Sequence, residues 1–76
     1  MRKTKKEFRL TRALYSSSAI NAAALEFEEV ISIDIAENKN EYIITITPKI
    51  KEDIRLIKRE FCNYVLGLMK EEMTIL

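Results

Sequence analysis

The chain has no histidine or tryptophan, and among its 76 residues it has one glycine, one proline and one cysteine. Histidine is the usual general base at neutral pH and the most common metal ligand. Glycine-rich loops allow a backbone to approach a phosphate closely. With Gly67 as the one glycine, the chain has neither a P-loop nor a dinucleotide-binding fingerprint. These absences favour a binding protein over an enzyme, with no catalytic residue, cofactor or metal expected.

The single cysteine and the lack of long apolar runs predict a location. Cys62 has no second cysteine with which to form an intramolecular disulfide, which is typical of a reducing compartment and predicts a cytoplasmic protein. The basic residues near Met1 are followed by Phe8–Leu14, which two arginines interrupt, so no signal peptide is expected. No apolar run approaches the ~20 residues that a membrane helix needs.

The net charge of +1 conceals a strong asymmetry. Residues 1–12 carry six cationic residues against Glu7, a charge of +5, whereas residues 13–76 carry seven cationic and eleven acidic residues, a charge of −4. We predict a basic flexible arm over residues 1–7 and a single α+β domain over residues 8–76. Such an arm can contact nucleic acid, an acidic protein or the domain itself, although a frayed terminus is the ordinary alternative.

The first half of the chain predicts a strand followed by a helix. Apolar residues alternate over Phe8–Leu14, with Arg12 interrupting the pattern as at a bulge or an edge. Ser16 or Ser17 is expected to cap a helix, because a serine hydroxyl can accept a hydrogen bond from the first helical turn. The helix itself is predicted from one apolar face, which consists of Ile20, Ala23, Ala24 and Phe27.

The second half predicts a hairpin and a long helix. Isoleucines alternate with polar residues over Ile31–Ile35, and a second alternating run covers Tyr42–Thr47. The asparagines between them can adopt the left-handed conformations that turns use. Pro48 ends the ladder because it lacks an N–H group. An amphipathic helix is expected over residues 51–72, with an apolar stripe of Ile50, Ile54, Ile57, Phe61, Tyr64 and Leu68, widened by Leu66 and Met69.

The resulting order is β-α-β-β-α, which predicts an α+β domain with a three-stranded sheet and both helices on one face. A right-handed crossover makes the first two strands parallel and leaves room for the third between them, as in a ferredoxin-like fold that lacks its last strand. The uncovered face is expected to carry Ser32, Asp34, Ile43 and Thr45. A free strand edge could receive a peptide or a second subunit.

The residue types that could carry chemistry all have structural explanations. The acidic residues Glu26, Glu28 and Glu29 lack nearby oxygen donors or a glycine turn, so a solvated charged run is expected rather than a cation site. Cys62 has no base nearby and is interpreted as a small apolar residue. The three tyrosines do not form a base-stacking pattern, but nucleic-acid binding stays an alternative, through Arg2, Lys3, Lys5, Lys6, Arg9 and Arg12.

Four segments between Tyr15 and Glu71 resemble the HxsD family, the small component of His-Xaa-Ser peptide-maturation systems. The tyrosine-led alanine helix over Tyr15–Phe27 and the strand ending in Pro-Lys over Ile44–Lys49 are two of them. The others are a Phe-x-Asn-x-x-Leu pattern at Phe61, Asn63 and Leu66 and a final Met69–Glu71, where the family has Leu-Arg-Glu. The resemblance covers about three quarters of the chain.

The resemblance implies a non-catalytic accessory protein with a protein or peptide partner. Such systems contain radical-SAM proteins that modify a peptide with His-Xaa-Ser repeats, so the expected partner is the maturase or its peptide. We therefore expect a protein-interaction module, with homodimerisation through the second helix or a strand edge left open. Its candidate partner-binding residues are Tyr15, Ile43, Thr45, Asn63 and Lys70.

Overall fold

The computed structural model of the chain describes residues 5–73, which form three strands and two helices. The order along the chain is β1 (Lys6–Thr11), α1 (Ser17–Glu26), β2 (Ile31–Glu37), β3 (Glu41–Pro48) and α2 (Ile54–Met73). In the sheet the order is β1-β3-β2, and β3 is antiparallel to both neighbours. The predicted α+β class and the β-α-β-β-α order are confirmed, and the strand order, which the sequence left open, places β3 in the middle.

The two faces of the sheet differ, and β3 shows this most clearly. Its side chains alternate strictly, with Tyr42, Ile44 and Ile46 buried and Ile43 and Thr45 only half-buried. Both helices pack on the face that carries the buried set, which we call the helix face, and the opposite face is called the open face. The core on the helix face consists of Phe8, Leu10, Ala19, Ile20, Ala23, Ile31, Tyr42, Ile44, Ile46, Ile57, Phe61 and Val65.

Strand β1 ends earlier than the alternating apolar residues of Phe8–Leu14 predict. The chain leaves the sheet after Thr11, whose carbonyl accepts hydrogen bonds from the N–H groups of Leu14 (3.0 Å) and Tyr15 (3.1 Å). Leu14 is 69% exposed, so its predicted place in the strand is wrong. The reason is where the neighbouring strand β3 begins. The last backbone hydrogen bond beside β1 joins the Arg12 N–H to the Asn40 carbonyl, and beyond this point the β2–β3 hairpin turns away.

The same strand begins earlier than expected. Lys6 and Glu7 belong to β1 and pair with Ile46 and Thr45 of β3, so two residues of the predicted arm lie in the sheet. Arg2 and Lys3 lie outside the described residues. The division into an arm and a domain at residue 8 therefore stays a prediction, and the ordered ladder reaches at least to Lys6.

The turn between β2 and β3 is closed by a side chain. Asn38 Oδ1 accepts hydrogen bonds from the backbone N–H groups of Asn40 and Glu41, both at 2.8 Å. No non-glycine residue among residues 5–73 has a positive φ, so the expected left-handed asparagine is wrong. The asparagine side chain instead supplies the acceptor that a tight turn needs.

Helix α1 begins as predicted at a serine cap. Ser16 has an extended backbone, and its Oγ accepts a hydrogen bond of 3.0 Å from the N–H group of Ala19. The buried face of the helix consists of Ala19, Ile20 and Ala23, all three of which belong to the core. The cap thus fixes where the connection from β1 ends.

Replacing Ser16 with alanine is expected to lower the free energy of unfolding by about 1 kcal/mol, because the Ala19 N–H loses its acceptor. Ser17→Ala is the matched control, since Ser17 is exposed and lies within the helix, and its effect should stay within about 0.5 kcal/mol. Urea denaturation followed by circular dichroism measures both. Equal effects for the two variants would contradict the capping role.

Helix α2 is shorter at its start than predicted, and its buried stripe is rotated. Asp53 precedes the helix, and its Oδ1 accepts a hydrogen bond of 2.9 Å from the N–H group of Arg55. Ile50 lies before this cap and is exposed.

The buried stripe of α2 differs from the predicted one at Tyr64 and Val65. Val65 is fully buried, whereas Tyr64 is 38% exposed and lies edge-on against Phe27, with ring centroids 5.8 Å apart. The prediction that Tyr64 belongs to the central stripe and that Leu66 widens it is wrong.

Candidate functional site

The open face of the sheet has a mixed polar and apolar surface. In one row across the strands, Thr45 lies between Glu7 of β1 and Asp34 of β2, and in the next row Ile43 lies between Arg9 and Ala36. Ile43 and Thr45 are half-buried by these neighbours alone, since both helices lie on the other face. The face therefore presents an isoleucine and a threonine between flanking charges, as predicted.

Arg9 is held on the open face by two carboxylates. Its guanidinium donates a hydrogen bond of 3.1 Å to Glu41 Oε1 and lies 3.5 Å from a carboxylate oxygen of Glu7. All three side chains are partly exposed, so these pairs contribute little to stability. They do neutralise Arg9, which lowers the charge that the open face could offer to a phosphate.

Arg12 is engaged at the hairpin. Its guanidinium donates a hydrogen bond of 2.8 Å to the carbonyl of Asn38, lies 3.9 Å from Glu37 and is 5.5 Å from the centre of the Tyr42 ring. The three contacts join the end of β1 to the β2–β3 turn. Arg12 therefore has a structural role in positioning the hairpin.

A second surface, which we call the basic edge groove, runs between the edge strand β1 and helix α2. It has a volume of about 360 Å³ and is lined by Lys6, Arg55, Lys58, Arg59, Cys62 and Asn63. Lys6 contributes from the helix face of β1, because it pairs with the buried Ile46. Four of the six lining residues are cations, so the groove has a positive potential.

Contacts with neighbouring side chains hold two of the four cations of the groove, Lys58 and Arg55. The Lys58 ammonium lies 5.2 Å from the centre of the Phe8 ring, which fixes it above the edge of the sheet. Arg55 donates hydrogen bonds of 3.2 and 3.0 Å to the carboxylate of Asp53. Side-chain hydrogen bonding by Arg55 lowers the pKa of Asp53. Among residues 5–73, Lys6, Lys58 and Arg59 have no carboxylate within ion-pair distance.

Cys62 lies in the basic edge groove and is half-buried. Burial raises the pKa of its thiol, and the positive charge of Lys58 opposes this only in part. A raised pKa keeps the thiol protonated at neutral pH, whereas nucleophilic catalysis needs the thiolate. The interpretation of Cys62 as an apolar residue agrees with this environment.

Alkylation of Cys62 by iodoacetamide at neutral pH is expected to be slower than alkylation of the same cysteine in the urea-unfolded chain, because the raised pKa reduces the thiolate fraction. Lys58→Gln should slow the reaction further, since it removes the charge that lowers the pKa. Rates measured by mass spectrometry at several pH values test this. A rate in the folded protein above that of the unfolded chain would contradict the assignment.

The structure distributes the five predicted partner-binding residues over three places. Ile43 and Thr45 lie side by side along β3 on the open face. Asn63 and Lys70 are exposed on α2, on the other side of the sheet. Tyr15 is half-buried against the core in the connection before α1. The five residues therefore do not form one site.

The residues of the predicted nucleic-acid surface are also divided. Lys6 faces the helix side of the sheet, Arg9 faces the open side and Arg12 lies at the hairpin. Lys5 is exposed. Arg2 and Lys3 are outside the range that the structure covers. The described cations of residues 1–12 thus form no single patch.

The basic edge groove was missed by the sequence prediction. The sequence feature that could have revealed the groove is a cluster of cations on α2. Lys58 and Arg59 lie three and four residues after Arg55, so the three side chains share one helix face. Their charges were obscured because residues 13–76 are acidic as a whole. Lys6 joins them only through the pairing of β1 with β3, which spacing alone does not reveal.

Two general features bear on the class of site. Within residues 5–73, no group of three or more cysteine, aspartate or glutamate residues is arranged to hold a metal ion. Neither helix of the described segment combines the length and the apolar character needed to cross a bilayer.

The fold and these surfaces define a small α+β domain with an open three-stranded sheet and a basic groove beside one edge. The family model described as His-Xaa-Ser system protein HxsD matches residues 10–69. The chain belongs to the HxsD family, as its sequence resemblance implied. The match includes Tyr15, Ile43, Thr45 and Asn63, and it ends one residue before Lys70. Neither the curated proteins nor the solved structures contain a match to the chain.

Proposed function

We propose that the chain is a non-catalytic accessory protein of the His-Xaa-Ser system that binds a protein or peptide partner through its sheet. Membership of the HxsD family supports a role beside other components of that system. The observation that carries the proposal is the form of the sheet. Both β1 and β2 are edge strands in the described sheet, and the face that carries Ile43 is not covered by a helix. Such edges and faces are the usual places for peptide addition and docking.

The available side chains support the proposed absence of catalysis. The sequence offers no histidine as a general base, and burial raises the pKa of its one thiol, which disfavours the thiolate. A partner that carries out radical chemistry, such as the maturase, would supply the reaction. The lone cysteine also supports a cytoplasmic location, where thiols stay reduced.

Co-expression with the components of the same system tests the proposal. The tagged chain is expressed with the radical-SAM maturase and with the repeat-containing peptide, separately and together, and purified at low and high salt. We expect one of them to co-purify with the chain at high salt in a defined ratio by size-exclusion chromatography. The chain incubated alone with the peptide should leave the peptide mass unchanged. A failure of both to bind, or a mass change without the maturase, would overturn the proposal.

Nucleic-acid binding is the alternative, and the four cations of the basic edge groove are the observation in its favour. Phosphate contacts would make affinity fall steeply with salt. A variant that lacks residues 1–4 removes Arg2 and Lys3 and leaves β1 intact, whereas a deletion that includes Lys6 would remove a paired residue. Recovery of nucleic acid at low salt that is lost at high salt, and that is reduced by this deletion or by Arg55→Gln with Arg59→Gln in the groove, would favour the alternative.

A further inference from the structure

The edge of β1 combines free backbone groups with a row of cations. The Arg12 N–H donates to the Asn40 carbonyl, which continues the register in which Thr11 pairs with Glu41. Because hydrogen-bonded and non-hydrogen-bonded pairs alternate in an antiparallel ladder, Lys6, Phe8 and Leu10 bond towards β3. The N–H and C=O groups of Glu7 and Arg9 therefore point away from the sheet, towards the free edge.

The basic edge groove lies directly beside these groups. Lys6 is next to Glu7 on the strand, and Lys58 lies over the Phe8 ring. A strand added beside β1 would direct alternate side chains to the helix face, about 7 Å apart. Those side chains would enter the groove between β1 and α2, where Lys6, Lys58 and Arg59 have no carboxylate partner among the described residues.

We propose that the β1 edge binds an extended acidic peptide by strand addition, with carboxylates at alternate positions contacting Lys6, Lys58 and Arg59. The inference rests on the proposed function and names the partner class and the place at which it binds. Backbone hydrogen bonds to Glu7 and Arg9 supply the pairing. The cations supply the preference for acidic side chains, because opposite charges across an interface select the partner and its register.

The other edge of the sheet does not offer this combination. On β2, the side chains that share the helix face are Ile31, Ile33, Ile35 and Glu37, so its edge is apolar and mildly acidic. For the same reason a second copy of the chain is a poorer occupant of the groove: its β2 would bring one carboxylate to three cations. A partner with acidic residues at successive alternate positions matches the charge better.

The groove also fits a peptide better than a nucleic acid. Nucleic acid has no backbone pattern of N–H and C=O groups to pair with Glu7 and Arg9. Single-stranded binding usually adds aromatic side chains on which bases stack. The exposed aromatic ring of α2, Tyr64, lies against Phe27, on the side of the helix that faces α1 rather than the groove.

The test uses a synthetic peptide with glutamate at alternate positions and valine between them, and a second peptide with glutamine in place of glutamate. Binding to the full chain is followed by fluorescence anisotropy and by NMR. We expect saturable binding of the glutamate peptide and slowed amide exchange at Glu7 and Arg9. The double variant Lys6→Glu with Arg59→Glu should weaken binding by about tenfold or more. Lys39→Glu, the same charge change at the exposed hairpin tip, should not weaken it.

A proline at the edge separates strand addition from simple charge attraction. Glu7→Pro removes one outward N–H group and leaves the ladder to β3 intact, since proline is tolerated where the N–H faces solvent. Its matched control is Glu7→Ala, which loses the same side chain and keeps the N–H. We expect Glu7→Pro to lose most of the binding and Glu7→Ala to keep it. Equal binding by the two variants would overturn strand addition.

Other outcomes have defined meanings. No binding of the glutamate peptide, or tighter binding of a single-stranded oligonucleotide of equal charge, would overturn the inference, and so would an oligomer formed through the same edge. If the maturase or its peptide co-purifies with the chain as well with Glu7→Pro as with the wild type, the proposed function stands and the β1 edge is not the binding place. If neither binds the wild type, the proposed function itself fails.

Discussion

Replacing Phe61 with alanine is expected to lower the free energy of unfolding by about 3 to 5 kcal/mol. The side chain is fully buried. Its ring meets Phe8 and Phe27 edge to face, at centroid distances of 6.3 and 5.5 Å. Phe61 thus joins α2 to β1 and to the end of α1, and its removal leaves a cavity between three elements. A chain of this length is stable by only about 4 to 11 kcal/mol. The variant should therefore be largely unfolded at urea concentrations well below the midpoint of the wild-type unfolding transition.

Urea denaturation monitored by circular dichroism measures the effect, and Leu66→Ala is the matched control on the same helix. Leu66 is 46% exposed, so its truncation should change stability by about 0.5 kcal/mol or less. Phe61→Leu should lie between the two, because leucine fills part of the space. A small effect for Phe61→Ala, close to that of Leu66→Ala, would mean that α2 packs in a different rotation.

The topology was predictable because each element has a strong local signal. The alternating isoleucines of β2 and β3 left one register for a hairpin with a buried face, and Ser16 marked the start of α1. The right-handed crossover then left room for β3 between the other two strands. Each of these rests on patterns within about ten residues or on a general rule of handedness, which a single sequence contains.

The details that failed depend on contacts between distant segments. Leu14 continues the alternation of β1, but β3 turns away at Asn40 and leaves it without a partner strand. Val65 and Tyr64 are adjacent, and spacing alone allowed either to follow Phe61 in the stripe. The position of α1 decides between them, because Phe27 occupies the side of α2 on which Tyr64 lies.

In the candidate site, too, the features with a local sequence pattern were predicted, whereas those that depend on contacts between distant segments were not. Sequence reasoning placed Ile43 and Thr45 correctly on the uncovered face, since strand alternation fixes the face of each residue. It grouped Lys6, Arg9 and Arg12 as one candidate nucleic-acid-binding set, although strand pairing sends their side chains to different places. The basic edge groove joins Lys6 to Arg59 across more than fifty positions of sequence, so only the folded arrangement reveals it.

Exchange of Ile44 for threonine is expected to lower the free energy of unfolding by about 2 to 4 kcal/mol, combining a cavity with a buried hydroxyl. Ile44 is fully buried at the centre of the sheet, between Phe8 of β1 and Ile35 of β2. Threonine keeps the β-branched shape, so the strand preference of the position is retained. The loss in the free energy of unfolding therefore measures how completely Ile44 is buried on the helix face.

Ile43→Thr makes the same chemical change one residue earlier, on the open face. Its cost should stay below about 1 kcal/mol, because its side chain is covered only by strand neighbours. Urea denaturation at several protein concentrations compares the two variants. Equal losses would mean that the open face is covered in the isolated protein, and a dependence of the wild-type stability on protein concentration that Ile43→Thr reduces would identify a second copy of the chain as the cover. Unequal losses with no concentration dependence leave Ile43 accessible to a partner, as the proposed function requires.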